Sequence, residues 1–148
     1  MPGVKAVIPV IDGQVMVTSK YQEYFGNVRG IRAGDINKLA TISSKIVQGS
    51  LENFTDQNGI VLGSRLANVL GVRVGDQINI VTLRGAKTPF GTTPRVKAYR
   101  VSAVFEVGIY EYDLKVLFMP LNQAQKFFSK KDQVSALEVM VTNPDEIE

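Results

Sequence analysis

Glu111 and Asp113 stand two residues apart in Gly108-Ile109-Tyr110-Glu111-Tyr112-Asp113. In an extended strand the two carboxylates would share a face, which is how a pair is built for passing protons to and from a substrate. The alternative is a solvated loop bearing two exposed acids, and no third polar partner stands near them in the sequence. Ser64 and Ser102 supply hydroxyls, but the chain has no histidine, so neither can join an ordinary Ser-His-Asp triad. A lysine base stays open in principle, although nothing marks one out. Histidine and cysteine are both absent, which removes the usual zinc ligands and all thiol chemistry. Carboxylates alone would need a denser acidic cluster than this to hold a hard cation. No GxGxxG or GKS/GKT phosphate loop is present. The expectation is no catalytic residue, no metal and no cofactor.

Recognition chemistry points elsewhere, to Thr82–Lys97, TLRGAKTPFGTTPRVK. Two prolines (Pro89, Pro94), two glycines (Gly85, Gly91) and four cations (Arg84, Lys87, Arg95, Lys97) fall between apolar runs. The runs are Ile78-Asn79-Ile80-Val81 before and Ala98–Val107 after, the latter with Tyr99, Val101, Ala103, Phe105 and Val107 on one face. Strands flanking about ten residues with glycine read as a hairpin with a long loop. Loops of such length inside a domain are usually functional or disordered. Proline fixes φ at Pro89 and Pro94 and pushes Thr88 and Thr93 towards extended backbone. Phe90 falls near the tip. It either anchors in a partner's pocket or folds back onto its own domain.

The remaining elements read as a scaffold. Val4–Ile11 and Val15-Met16-Val17 are apolar runs with Asp12-Gly13 between them, a hairpin signal, and Pro9 puts the first run at an edge or bulge. Ser19–Asn27 reads as a polar loop and Val28–Ile31 as a short strand. Asp35 is placed to cap a helix whose face is Ile36, Leu39, Ala40, Ile46 and Val47, with Gly49 as its stop. Thr55–Gly59, TDQNG, marks a boundary between subdomains. Ile60-Val61-Leu62 is a strand, Ser64 caps a helix carrying Leu66, Ala67 and Leu70, and Gly71 closes it. Gly75-Asp76 turns the chain into the strand before the hairpin. Leu114–Met119 is apolar on both faces, as a central strand would be. Pro120 opens a helix burying Leu121, Ala124, Phe127 and Phe128. Leu137, Val139 and Val141 alternate in a last strand.

At 148 residues the chain suits one domain or two small intertwined ones. With 17 cations against 14 anions the net charge is +3, and no basic block appears, which weighs against a nucleic-acid-binding barrel. No run of about 18 apolar residues could span a membrane. Met1-Pro2-Gly3 leads straight into a strand-like run and reads as no signal peptide. Asn143–Glu148 ends without a closing element, as a segment of a longer protein would.

Four motifs in order, GIVLGSRLANVLGVRVGD, TPFGTTPR, VFEVGIYEYD and MPLNQAQKFF, carry a resemblance over about Val4–Pro144. The chain resembles the periplasmic region of the lipoprotein-releasing ABC-transporter permeases, the LolC/LolE family, within the wider MacB-like periplasmic core group. The resemblance implies an α+β fold with β-rich Sabre-type and Porter-type subdomains and a protruding β-hairpin, the Hook. It divides the chain into a Porter-like part, residues 1–57, and a Sabre-like part, residues 58–148, carrying the Hook at 82–94. It further implies a non-catalytic domain at the periplasmic face of the bacterial inner membrane, in a full-length protein that is integral to that membrane. The partners implied are the soluble chaperone LolA, the LolD ATPase, LolE or a second permease copy through parts outside this segment, and the lipoprotein substrate.

On the same resemblance, Thr88, Pro89, Phe90, Gly91, Thr92, Thr93 and Pro94 form the Hook that docks on the chaperone, with Arg84, Lys87, Arg95 and Lys97 flanking it. A nearby polar patch of the family, the Pad, is less well kept. Its glutamine falls on Val96, which cannot replace the amide's hydrogen bonds. One of its arginines falls on Lys97, which keeps the charge and loses the bidentate fork. Another falls near Asn79, while Arg95 stands beside these positions. E-type permeases, by resemblance, lack TPxG here, so TPFGTTPR implies a C-type subunit or one chain serving both roles. The alternative family reading is a MacB-like efflux or mechanotransmission permease, which would not be expected to carry TPxG between these strands.

Overall fold

The computed structural model describes residues 4–54, 59–82, 86–88, 91–93, 95–127 and 135–141. In chain order the strands are β1 Val4–Thr18, β2 Glu23–Ile31, β3 Ile46–Gly49, β4 Gly59–Gly63, β5 Gln77–Thr82, β6 Ala86–Thr88, β7 Gly91–Thr93, β8 Val96–Phe105, β9 Val116–Pro120 and β10 Ser135–Val141. Helices α1 Ala33–Ile36, α2 Ala40–Ser43, α3 Ser64–Leu70, α4 Tyr110–Lys115 and α5 Leu121–Phe127 are one or two turns each, with a 3₁₀ turn at Leu51–Asn53.

β1 runs unbroken through Asp12-Gly13, where a hairpin was expected. The turn signal loses to pairing: Asp12 lies opposite Arg29 and Gly13 opposite Val28 in the antiparallel ladder with β2. Asp12 is bridged to Arg29 at 3.0 Å on the outer face. Alternation along β1 also serves two cores. Ile8 and Val10 enter one apolar cluster, while Ile11, Val15 and Val17 enter another on the opposite face. A turn at Asp12 would tear both apart. Pro9 sits opposite Ala136 of β10, one residue before the β2 ladder begins at Val10. The expected polar loop shrinks to Ser19–Gln22, because residues 23–27 already pair with β1. Ser19 closes that turn: its Oγ accepts from the Tyr21 and Gln22 amides at 3.2 Å each and donates to the Leu70 carbonyl.

The pairings return to their start. β1 pairs with β2, β2 with β9, β9 with β4, β4 with β8, β8 with β5, and β5 with β1. These six strands close a barrel, with β10 extending the first half of β1 and β3 lying along β8. The contacts β2–β9 and β4–β8 are parallel, and the rest of the ring is antiparallel. The larger cluster is the interior, including Val28, Ile60, Leu62, Ile78, Ile80, Leu117 and Met119. α3 contributes Leu66, Ala67 and Leu70 to it, and α5 contributes Leu121 and Ala124. Gly30 lets α5 approach, since a Cβ there would stand 2.4 Å from that of Ala124. The second cluster lies outside the wall, where Val61, Phe105 and Phe118 meet Ile36, Leu39, Ile42 and Phe54. Both clusters draw residues from before and after TDQNG.

β8 does not keep one face from Tyr99 to Val107. In the ladder with β4, Ile60 pairs with Val101 and Val61 with Ala103, so Ser102 is an extra, bulged residue. Tyr99, Val101 and Val104 therefore face the barrel, whereas Ala103 and Phe105 face the outer cluster. A pattern of alternate residues cannot reveal an inserted one. The helix expected from Asp35 to Val47 is likewise broken into α1 and α2, with Ile46 and Val47 in β3. Thr41, Ile42, Ser43 and Ser44 are poor helix formers, and the free edge of β8 takes Ile46–Gly49 as a strand. Leu114 belongs to α4, so the apolar strand starts at Val116, and Pro120 ends β9 instead of opening α5. Gly71 (φ +69°) does close α3, Asp76 accepts the Arg73 amide at 3.0 Å, and Ser64 is the first helical residue, with Gly63 as N-cap.

Asp35 is not a helix cap but a buried carboxylate held by Arg32 Nε at 2.6 Å and Lys38 Nζ at 3.2 Å. Burial alone would raise its pKa. The hydrogen bonds and charges of Arg32 and Lys38 outweigh that and hold it below its ordinary value of 3.8. A lowered folded pKa stabilises above the unfolded value and is lost as pH falls through the folded one. Asp35→Asn is expected to cost about 1 kcal/mol at pH 7, a deficit that shrinks below the ordinary carboxylate range. Urea unfolding of both proteins at pH 7 and in acid checks this, and an equal deficit at both would refute it.

Candidate functional site

The carboxylates at 111 and 113 do not form a catalytic pair. They lie on α4, where two residues apart means different faces. Asp113 is buried, and its two oxygens accept the Val107 amide at 2.9 Å and the Gly108 amide at 3.0 Å. It holds the turn in which Gly108 has φ +91°. The picture of two solvated acids is thus corrected for Asp113, while Glu111 is exposed and bridges Lys115 at 2.9 Å. Asp113→Ala would leave two amides without their acceptor, at an expected cost of about 2 kcal/mol, measurable by urea unfolding. Ser64 Oγ lies 3.1 Å from Glu106 Oε1, and Ser102 is the buried bulge residue. Among the described residues no cluster of three metal-ligating side chains occurs.

Between β5 and β8 the described residues hold a second, smaller sheet. β6 and β7 form a separate two-stranded sheet, in the register Ala86–Thr93, Lys87–Thr92 and Thr88–Gly91. That register leaves residues 89 and 90 to join the two strands. Thr88 is thus the last residue of one strand and Gly91 the first of the other, followed by Thr92 and Thr93. Pro89, Phe90, Pro94 and Arg84 lie outside the described residues.

The root of the segment is pinned. The Thr82 amide donates to the Arg95 carbonyl at 2.9 Å, and the Arg95 amide donates to Thr82 Oγ1 at 2.9 Å. Thr82 is buried and also lies opposite Val15 of β1, so the clamp is part of the barrel wall. Arg95 Nη1 donates to the Lys126 carbonyl at 2.5 Å, in the last turn of α5. Helix C-terminal carbonyls lack partners of their own, and a cation there also suits the helix dipole. Lys97 Nζ donates to Gln123 Oε1 of α5 and lies 5.4 Å from the Tyr99 ring centroid. Both cations therefore fasten the hairpin root to the helix that closes the barrel, with Lys97 still exposed on the surface. Neither helix contact could be read from spacing, since the partners are 31 and 26 residues away.

The family model described as "MacB-like periplasmic core domain" matches residues 1–148. The chain belongs to this family. Within the MacB-like periplasmic core group, it is 26% identical over 143 residues to the "lipoprotein-releasing system transmembrane protein LolC" of Neisseria meningitidis serogroup B, covering 96% of this chain and 34% of that protein. The LolC of Xylella fastidiosa strain Temecula1 is 29% identical over 145 residues, covering 97% and 35%. The LolE of Haemophilus influenzae is 24% identical over 144 residues, covering 97% and 34%. The chain spans about a third of the length of these relatives. Among solved structures, the extracellular domain of the noncanonic ABC-type transporter YknZ from Gram-positive bacteria superposes with a TM-score of 0.64 at 14% identity, covering 98% of this chain and 69% of that one. That likeness shows a shared fold, in agreement with the expected α+β core.

Proposed function

We propose that this chain is the periplasmic domain of a lipoprotein-releasing ABC-transporter permease. On this reading it recruits the soluble periplasmic lipoprotein chaperone LolA through the hairpin at 82–94. The observation that carries the proposal is the β6–β7 ribbon, a two-stranded sheet separate from that of the barrel. It is clamped to the barrel at Thr82–Arg95 and registered so that Pro89-Phe90 join its strands. Phe90 is the anchor, and Thr88, Pro89, Gly91, Thr92, Thr93 and Pro94 hold it out, so that little ordering remains to be done on binding. Arg84 and Lys87, with the exposed part of Arg95 and Lys97, steer an acidic rim and set register more than they add affinity. The names of the relatives support the lipoprotein-releasing assignment, and TPFGTTPR favours a C-type subunit or one chain serving both roles. Residues 1–57 and 58–148 keep the Porter-like and Sabre-like names of that reading, although their strands share one barrel. ATP hydrolysis belongs to a LolD-type subunit and membrane passage to segments outside this domain, at the periplasmic face of the inner membrane.

Calorimetric titration of this chain with LolA of the same organism tests the proposal. Binding at near one-to-one stoichiometry is expected. A folded chain that does not bind would overturn the recruitment role and return the reading to an efflux-type permease.

A further inference from the structure

Two turns flank an open cleft of about 500 Å³ at the end of β5 away from Thr82. One is Ser19–Gln22, between β1 and β2, and the other is the Gly71–Asp76 connection between α3 and β5. Both walls are fixed. Ser19 ties the first to the Leu70 carbonyl. In the second, the Gly75 amide donates to the Val101 carbonyl at 2.9 Å, and the Val101 amide donates to the Asp76 carbonyl at 2.9 Å. Tyr21 stands on the first wall and is 72% exposed. Its ring is seated on Gly71, where a Cβ would come within 3.3 Å of Tyr21 Cδ2. The bare backbone of Gly71 thus supports the ring on one side, while most of its surface is open. Lys20, Asp76, Gln77 and Asn79 line the cleft beside it.

The chemistry of this lining narrows what it could hold. Among the described residues that line it, Lys20 is the one cation and Asp76 the one anion, which suits a neutral ligand. A phosphate would call for more positive charge than Lys20 brings. An extended peptide finds no free strand edge: Thr18 is paired with both Glu23 and Asn79, and β5 is paired with both β1 and β8. A sugar ring offers an apolar face of C–H groups and a rim of hydroxyls, each both donor and acceptor. An aromatic ring takes the C–H face. Around it Lys20 donates, Asp76 accepts, and the Gln77 and Asn79 amides do both. Asp76 gives one oxygen to the Arg73 amide at 3.0 Å, and a carboxylate accepts more than one such bond. The volume lies in the ordinary range for ligand clefts.

We propose that the Tyr21 cleft is a binding site for a neutral oligosaccharide. Tyr21 is the stacking platform, and Asp76, Gln77, Asn79 and Lys20 hold the hydroxyls of the stacked ring. The site is independent of the hairpin and of any partner that the hairpin takes.

The test is two-dimensional amide NMR of this chain, titrated separately with chitotetraose and maltotetraose. An open cleft with a single aromatic should bind with a dissociation constant on the order of 1 mM. Resonances of residues 18–22 and 71–79 are expected to move, and those of 86–93 to stay. Tyr21→Ala should weaken binding about tenfold, whereas Tyr21→Phe, which keeps the ring, should bind as the native chain does. Gln77→Ala, at an exposed position, should also weaken it. Movement with chitotetraose alone would assign the cleft to an N-acetylated glycan, and movement with maltotetraose alone to a plain glucan. Resonances unmoved by either glycan well above that constant would overturn the proposal. Binding that Tyr21→Ala leaves unchanged, with the variant folded by circular dichroism, would overturn it equally.

Discussion

Phe118→Ala is expected to lower the stability of the domain by about 4 kcal/mol. Phe118 is wholly buried on β9, facing the outer cluster. Its ring meets Phe105 edge-on at 5.8 Å, and Phe105 meets Tyr112 in the same manner at 5.8 Å. Edge-to-face pairs add to the area they bury, so truncation removes packing at both levels. Collapse cannot refill the space, because β9 is held by β2 on one side and β4 on the other. Domains of this size are stable by only about 5–15 kcal/mol, so the loss is a large share of the whole. The melting temperature should fall by about 12 °C, at roughly 3 °C per kcal/mol. Phe118→Leu, which keeps most of the volume, should cost about 1.5 kcal/mol or less. Urea and thermal unfolding measure both. A cost under about 1 kcal/mol for the alanine variant would mean that the outer cluster is not a second core.

That second core is the feature least legible in the sequence. A strand apolar on both faces was legible at 114–119, two residues ahead of where β9 begins, but what covers its second face was not. α1, α2 and the 3₁₀ turn that cover it are too short and irregular to leave a helical period. The unit from Gly59 to Val81 was legible because its determinants are local: a short helix closed by Gly71 in the left-handed region, and the Asp76 turn. Closure of the barrel was not. It depends on the parallel pairings β2–β9 and β4–β8, whose partners stand far apart in the chain and leave no mark in either strand alone. The bulge at Ser102 and the continuity of β1 through Asp12-Gly13 fail for a related reason, since tertiary pairing overrides a local signal. The hairpin was legible from proline, glycine and threonine content, and its ribbon is present. The clamp at its root was not, because the reciprocal Thr82–Arg95 bonds and the α5 contacts are made by groups with no special spacing.

The largest functional effect is expected at the hairpin tip. Phe90→Glu should weaken binding to LolA by about a hundredfold or more. An aromatic anchor filling a partner's pocket is worth about 2 kcal/mol or more on truncation alone, which is roughly thirtyfold. A carboxylate forced into the same apolar pocket adds the cost of desolvating a charge. Fold should not suffer. β6 and β7 pair with each other and share no sheet with the barrel, so a substitution at the turn between them disturbs no barrel ladder. The control is Arg84→Ala with Lys87→Ala. Charges that steer encounter should lower the association rate and flatten its dependence on salt, while the dissociation rate changes little. Surface plasmon resonance across a salt series separates the two: the tip variant acts on dissociation, the charge variant on association. Equal dissociation rates for Phe90→Glu and the native chain would show that the aromatic folds back on its own domain. The recruiting surface would then have to be sought on the barrel wall.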